Sequence, residues 1–142
     1  MVIGLEGVVG KLTEVVHTKN LDSNENEQRT IVSLLKSPGQ NEFGLVEQVR
    51  TTLVKKEEWV GNHWREYGEI YGVITGKEAT IFELKDIDNE EQRTLEMTTG
   101  DRLYVPTKIA LRIKAKPNTV IICLSENYGR EEGTHKYWEW GS

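Results

Sequence analysis

The chain has a single cysteine, Cys123. An intrachain disulfide is therefore excluded, which fits a reducing cytoplasm. The thiol lies inside an apolar run, residues 120–124, and reads as a buried, inert side chain rather than a nucleophile. Long apolar runs are missing: 120–124 is among the longest and falls far short of the roughly 20 residues that span a bilayer. No basic segment precedes the apolar residues of the N-terminal MVIGLEGVVGKLTE, which also carries Glu6, so no secretory signal is expected. Positive charge is in deficit, with 18 Lys and Arg against 23 Asp and Glu. Without a basic stripe, electrostatic binding to nucleic acid or to an anionic membrane is not expected. A helical stripe, an internal repeat, a low-complexity tract and a domain-splitting linker are all absent. One domain spanning 1–142, in the cytoplasm, is the expectation.

What is present is short strands separated by turn chemistry. Segments 11–16, 29–36, 45–54, 69–75, 77–84, 93–97, 102–105, 108–114 and 119–125 have β-branched or alternating character. Between them lie the polar loop 20–28, the Pro-Gly turn within 37–44, a charged connection over 55–62, a Gly76-Lys77 turn and the acidic loop 86–92. That acidic loop lacks the alternating oxygen ligands and central glycine of an EF-hand and reads as a solvated hairpin end. Within 108–114, Ile109, Leu111 and Ile113 alternate with Lys108, Ala110, Arg112 and Lys114, a strand with one dry and one wet face. In 45–54, Val46, Gln48, Arg50 and Thr52 stand opposite Leu45, Val49 and Leu53. Nine or ten such strands predict a closed or double-sheet antiparallel architecture.

The stretch 61–76, GNHWREYGEIYGVITG, concentrates chemistry. It reads as a loop bringing His63, Arg65 and Glu69 to the mouth of an apolar strand. His63-x-Arg65-x3-Glu69-x6-Gly76 resembles the first cupin motif, and Gly100-x5-Pro106 the start of the second; the likeness covers about 45–125. It implies an all-β, cupin-like jelly-roll barrel and a homodimer. A narrower likeness joins Gln48-Val49-Arg50-Thr51-Thr52, Gly61-Asn62-His63 and the loop at 22–28 to the cupins that act on nucleotide-linked deoxysugars, the 3,5-epimerases and keto-sugar ketoisomerases. The chain departs from the metal-binding pattern: Arg65 stands where the second histidine would be, and Leu111 takes the third histidine's place. Arginine stays protonated and is no ligand. No metal or other cofactor is expected.

The resulting expectation is metal-independent proton abstraction next to a keto group of a nucleotide-linked sugar. His63 is the expected base, and Tyr71, on the face of Glu69, and Tyr104 are the expected acids. Arg65 is expected to stabilise an enolate or grip a phosphate, with Glu69 orienting it or His63, and with Gln48 and Arg50 among the ligand-binding residues. Blander readings stand beside these: His63 as a hydrogen-bonded relic, Arg65 and Glu69 as an internal salt bridge replacing the metal's charge, both tyrosines as packing. A non-catalytic cupin binding a small polar or anionic ligand, and a metal-dependent cupin enzyme, are the alternatives. His17 and His135 read as surface residues. Trp64 should face away from the site, into packing or a subunit interface. Trp138 and Trp140 should dock on the domain or on a second subunit, or stack on carbohydrate.

Overall fold

The computed structural model describes residues 12–19, 23–25, 30–32, 34, 46–76, 78–126 and 133–141. The turn expected within 37–44, and Lys77 of the expected Gly76-Lys77 turn, lie outside them. A 3-10 turn, η1 (Leu12–Glu14), precedes β1 (Val16–Thr18), β2 (Ser23–Glu25), β3 (Thr30–Val32), β4 (Gln48–Leu53), β5 (Val60–Arg65), β6 (Glu69–Thr75), β7 (Thr80–Asp86), β8 (Gln92–Met97), β9 (Arg102–Val105), β10 (Ile109–Lys114), β11 (Val120–Ser125) and β12 (Thr134–Lys136). Two five-stranded sheets run in the orders β1-β9-β6-β11-β4 and β12-β5-β10-β7-β8, with β2-β3 as a separate hairpin. Every pairing is antiparallel. The all-β, double-sheet expectation holds.

Alternation explains how the sheets close on one another. Phe82 and Leu84 of β7, Leu103 of β9, Leu111 of β10 and Val73 of β6 are all sealed from solvent in one cluster between the sheets, the arrangement that period-2 side chains allow. Leu111 lies inside, as its phase with Ile109 and Ile113 requires. The first sheet is apolar on its outer face too, where Leu34, Ile70 and Leu124 pack with Val46, Tyr104 and Ile122.

Local readings of the sequence need correcting in several places. Within the expected strand 11–16, Leu12–Glu14 form a 3-10 turn and β1 begins only at Val16. Residues 23–25, within the expected loop, pair as β2. The 55–62 connection ends early, because β5 begins at Val60, so His63 and Arg65 sit on a strand and not on a loop. β4 turns its apolar residues outward, with Val49 57% and Leu53 56% exposed. His17 is not a surface residue: its side chain is mostly buried, and Nε2 lies 3.3 Å from Asp101 Oδ2.

The C-terminal segment is tied to the second sheet. β12 pairs with β5, and residues 137–141 then cross the sheet's outer face. Tyr137 N donates to Asn62 O at 2.9 Å, Lys85 Nζ to Glu139 O at 2.8 Å and Gly141 N to Gln92 Oε1 at 3.0 Å. Trp140 docks there as expected, whereas Trp138 stays 68% exposed. Trp64 faces outward and stacks on His135 at 4.0 Å.

Candidate functional site

Between the sheets a cavity of about 420 Å³ is lined by residues that include Arg50, His63, Arg65, Tyr71 and Cys123. These come from four strands whose inward phases converge: Arg50 on β4, His63 and Arg65 on β5, Tyr71 on β6 and Cys123 on β11. Toward the rim it adjoins a second hollow of about 290 Å³ that shares Thr52, Val54, Val60 and Ile113 and adds Lys55 and Lys56.

The organiser is Glu69, on β6 and 3% exposed. Its Oε2 accepts from Arg50 at 3.1 Å and from the Cys123 thiol at 3.3 Å. Its Oε1 accepts from the Tyr71 hydroxyl at 2.6 Å and lies 3.0 Å from Arg65 Nε. That last contact is a close ion pair without hydrogen-bond alignment, since Arg65 Nε has no aligned partner. Arg65 is fixed instead through Nη1, which donates to Tyr67 Oη at 3.1 Å and to Thr134 Oγ1 at 2.5 Å. A buried carboxylate needs such partners, because desolvation alone would neutralise it.

The electrostatics follow from burial and these pairings. Burial works against the charge of Arg65, but Glu69, Tyr71 and Tyr67 outweigh it and hold the guanidinium firmly protonated. Burial likewise opposes the charge of Arg50, while Cys123 and Glu69 hold it raised. Burial and then Glu69 push the Tyr71 hydroxyl well above its ordinary range, and the same two causes raise the Cys123 thiol. His63 moves the other way: burial first, then Arg65, lower it to about 4, although Glu69 and a hydrogen bond to the Gly61 backbone favour the charged form. The imidazole is neutral at pH 7, and its buried Nε2 has no hydrogen-bond partner among the described residues.

The structure thus brings together His63, Arg65, Glu69, Tyr71 and Arg50. It does not bring in Tyr104, which packs on the outer face of the first sheet opposite Ile70. Gln48 shares the phase of Arg50 but is absent from the cavity wall; its Oε1 is buried without a partner among the described residues. Tyr71 reaches the cavity with its hydroxyl already donating a hydrogen bond to Glu69, so it is placed to hold the carboxylate more than to protonate a ligand. Three participants were missed. Tyr67 and Thr134 grip Arg65, and Cys123 touches Glu69; the inward phase that Cys123 shares with Ile121 was the one available signal.

A divalent metal does not fit here. Of the ligand positions of the cupin motif that the sequence resembles, His63 and Glu69 survive, but a guanidinium stands 3.0 Å from the carboxylate and Leu111 lies opposite His63 in the strand register. Among the described residues no three His, Cys, Asp or Glu side chains gather as a metal site, and catalytic sites use three or more protein ligands.

The two antiparallel sheets, closed over a polar pocket, define the cupin fold. No family model matches the chain, and no curated protein matches it. Solved structures do. The sugar 3,4-ketoisomerase QdtA of Thermoanaerobacterium thermosaccharolyticum, determined in complex with TDP, superposes with a TM-score of 0.71 at 16% identity over 91% of this chain and 92% of that one. The dTDP-4-dehydrorhamnose 3,5-epimerase of Sulfolobus tokodaii gives 0.73 at 15% identity over 95% and 86%. The TDP-fucose-3,4-ketoisomerase WlaRA of Campylobacter jejuni gives 0.67 at 12% over 85% and 87%. At such low identities the superpositions establish the shared fold alone.

Proposed function

We propose that this chain binds a nucleotide-linked keto-sugar in the cavity and moves a proton beside its carbonyl, with His63 as the base. The observation that carries this is the His63 imidazole: largely buried, neutral, without a partner for Nε2 among the described residues, and next to two guanidiniums that would stabilise an enolate. The structural neighbours include enzymes of that chemistry. His63 takes the proton from the carbinol carbon next to the ketone, and the electron pair enters the carbonyl as an enediolate. The hydroxyl proton passes to the former carbonyl oxygen, and His63 returns its proton to the former carbonyl carbon. Epimerisation would instead need a second proton donor on the opposite face. Tyr104 lies outside the barrel and the Tyr71 proton is engaged, so ketoisomerisation is the favoured form.

One observation favours a second reading. An imidazole lowered to about 4 is a weak base, which suits a protein that binds the ligand without turning it over. Solvent deuterium exchange separates the two. The catalytic reading expects deuterium in a dTDP-linked 4-keto-6-deoxysugar, and a fall of about a hundredfold to ten-thousandfold in His63→Asn. Unchanged exchange in that variant removes His63 from the mechanism; neither exchange nor conversion of the 4-keto to a 3-keto sugar, despite binding, leaves the binding protein. The homodimer implied by the family resemblance is likewise a proposal, which light scattering of the purified chain tests.

A further inference from the structure

The phase of β5 contains an anomaly. Val60 and His63 both line the cavity, yet a regular strand puts residues three apart on opposite faces. The register against β10 shows the cause. Leu111 stands opposite His63, Arg112 opposite Gly61 and Ile113 opposite Val60, so Asn62 has no counterpart and is the extra residue of a β-bulge. Gly61 and Asn62 carry φ values of 97° and 49°, left-handed backbone that glycine adopts freely and asparagine better than most residues. Without the extra residue every side chain beyond it would change face. His63 and Arg65 would point into solvent, and Trp64 into the barrel.

Both oxygens of Asn62 are held from outside the barrel. Its main-chain oxygen accepts from Tyr137 N at 2.9 Å, and Oδ1 accepts from Trp140 Nε1 at 3.0 Å. Trp140 is itself fixed: the Tyr137 ring meets it edge-on at 5.1 Å, and the Arg112 guanidinium lies 4.9 Å from its centre and 4.2 Å from that of Trp59. Arg112 in turn pairs with Glu83 at 2.5 Å. We propose that Asn62, clamped by the C-terminal strap through Trp140, is the residue that aims His63 into the cavity. Asn62 and Trp140 are positioning residues, and Trp140 is not among the residues lining the cavity. The proposal rests on His63 as the working group of the site, but it concerns the orientation of that imidazole and is testable without a substrate.

The test uses the full chain and two conservative variants. Asn62→Gly keeps the left-handed backbone and removes Oδ1; Trp140→Phe keeps an aromatic ring and removes Nε1. With histidine-labelled protein, NMR titration follows His63, while amide exchange follows residues 60–65 with the Phe82 amide as control. The proposal expects the His63 midpoint, about 4 in the parent, to rise by about one unit or more in Trp140→Phe as the ring gains water. It also expects β5 amides to exchange at least about tenfold faster while Phe82 is unchanged. An unmoved midpoint together with unmoved β5 exchange in Trp140→Phe overturns it, and that variant decides alone if Asn62→Gly does not fold. The two readings fail separately. A chain that ignores nucleotide sugars can still show the His63 response, and a chain that turns them over with His63 indifferent to Trp140 keeps its function and loses this clamp.

Discussion

Glu69 gathers Arg50, Arg65, Tyr71 and Cys123 from four strands around one carboxylate. Replacing it with Gln leaves two guanidiniums facing each other without compensation, and breaking a buried pair in this way costs about 3–5 kcal/mol. A urea melt of Glu69→Gln should show that loss; a cost below about 1 kcal/mol would mean that water already screens the pair. His63 sets a pH dependence. Its folded-state value, lowered from 6.5 to about 4, means that the unfolded chain binds the extra proton first as pH falls. Stability should therefore be fully present above about 6.5, decline between 6.5 and 4, and lose no more from this group below 4. His63→Asn should flatten that part of the profile. His63, Arg65 and Glu69 were legible from their spacing, and Tyr71 from its phase with Glu69. Tyr104 was not, because Leu103, Tyr104 and Val105 are apolar or aromatic on both faces of β9, and hydropathy gives such a strand no inside.

β5 shows the limit of local pattern most clearly. Gly61-Asn62 has the chemistry of a turn, so the sequence reads as a connection where the chain makes a bulge. The pairing that decides the matter comes from β10 and β12, roughly fifty and seventy residues further on. β12 was invisible for the same reason: a three-residue strand exists only because β5 is there to receive it. By contrast β6 and β9 were legible to the residue, each bounded by its own turn signal, and β10 to within one residue, since Lys108 lies in the turn before it. Gly61 has a sharp requirement, with positive φ and with the position of an added Cβ 3.2 Å from the Leu111 carbonyl oxygen. Gly61→Ala should cost about 1–3 kcal/mol, read by thermal or urea unfolding. Full stability in that variant would mean that the bulge can relax.

At the scale of the whole molecule, net charge is −5, yet the cavity wall carries Arg50 and Arg65, both paired with the one Glu69 carboxylate, and the adjoining hollow is lined by Lys55 and Lys56 against Glu58. An anionic ligand should find the interior more welcoming than the surface. Thymidine diphosphate at about a hundred times its Kd should raise the melting temperature by on the order of 10 °C, and the affinity should fall as salt is added. No shift with the diphosphate or with a dTDP-sugar would remove the nucleotide from the proposal.

The outward apolar face of β4 has one more consequence. Sliding this strand by a single residue along β11 would bring Val49 and Leu53 into the interior, each worth about 1.5–3 kcal/mol of burial. The hydrophobic effect alone would therefore choose the wrong alignment. Arg50 in the grip of Glu69 resists that slip, so the guanidinium also acts as a ratchet pin for the barrel's seam. A chain carrying Arg50→Met should populate two alignments of β4, visible as doubled amide resonances along the strand.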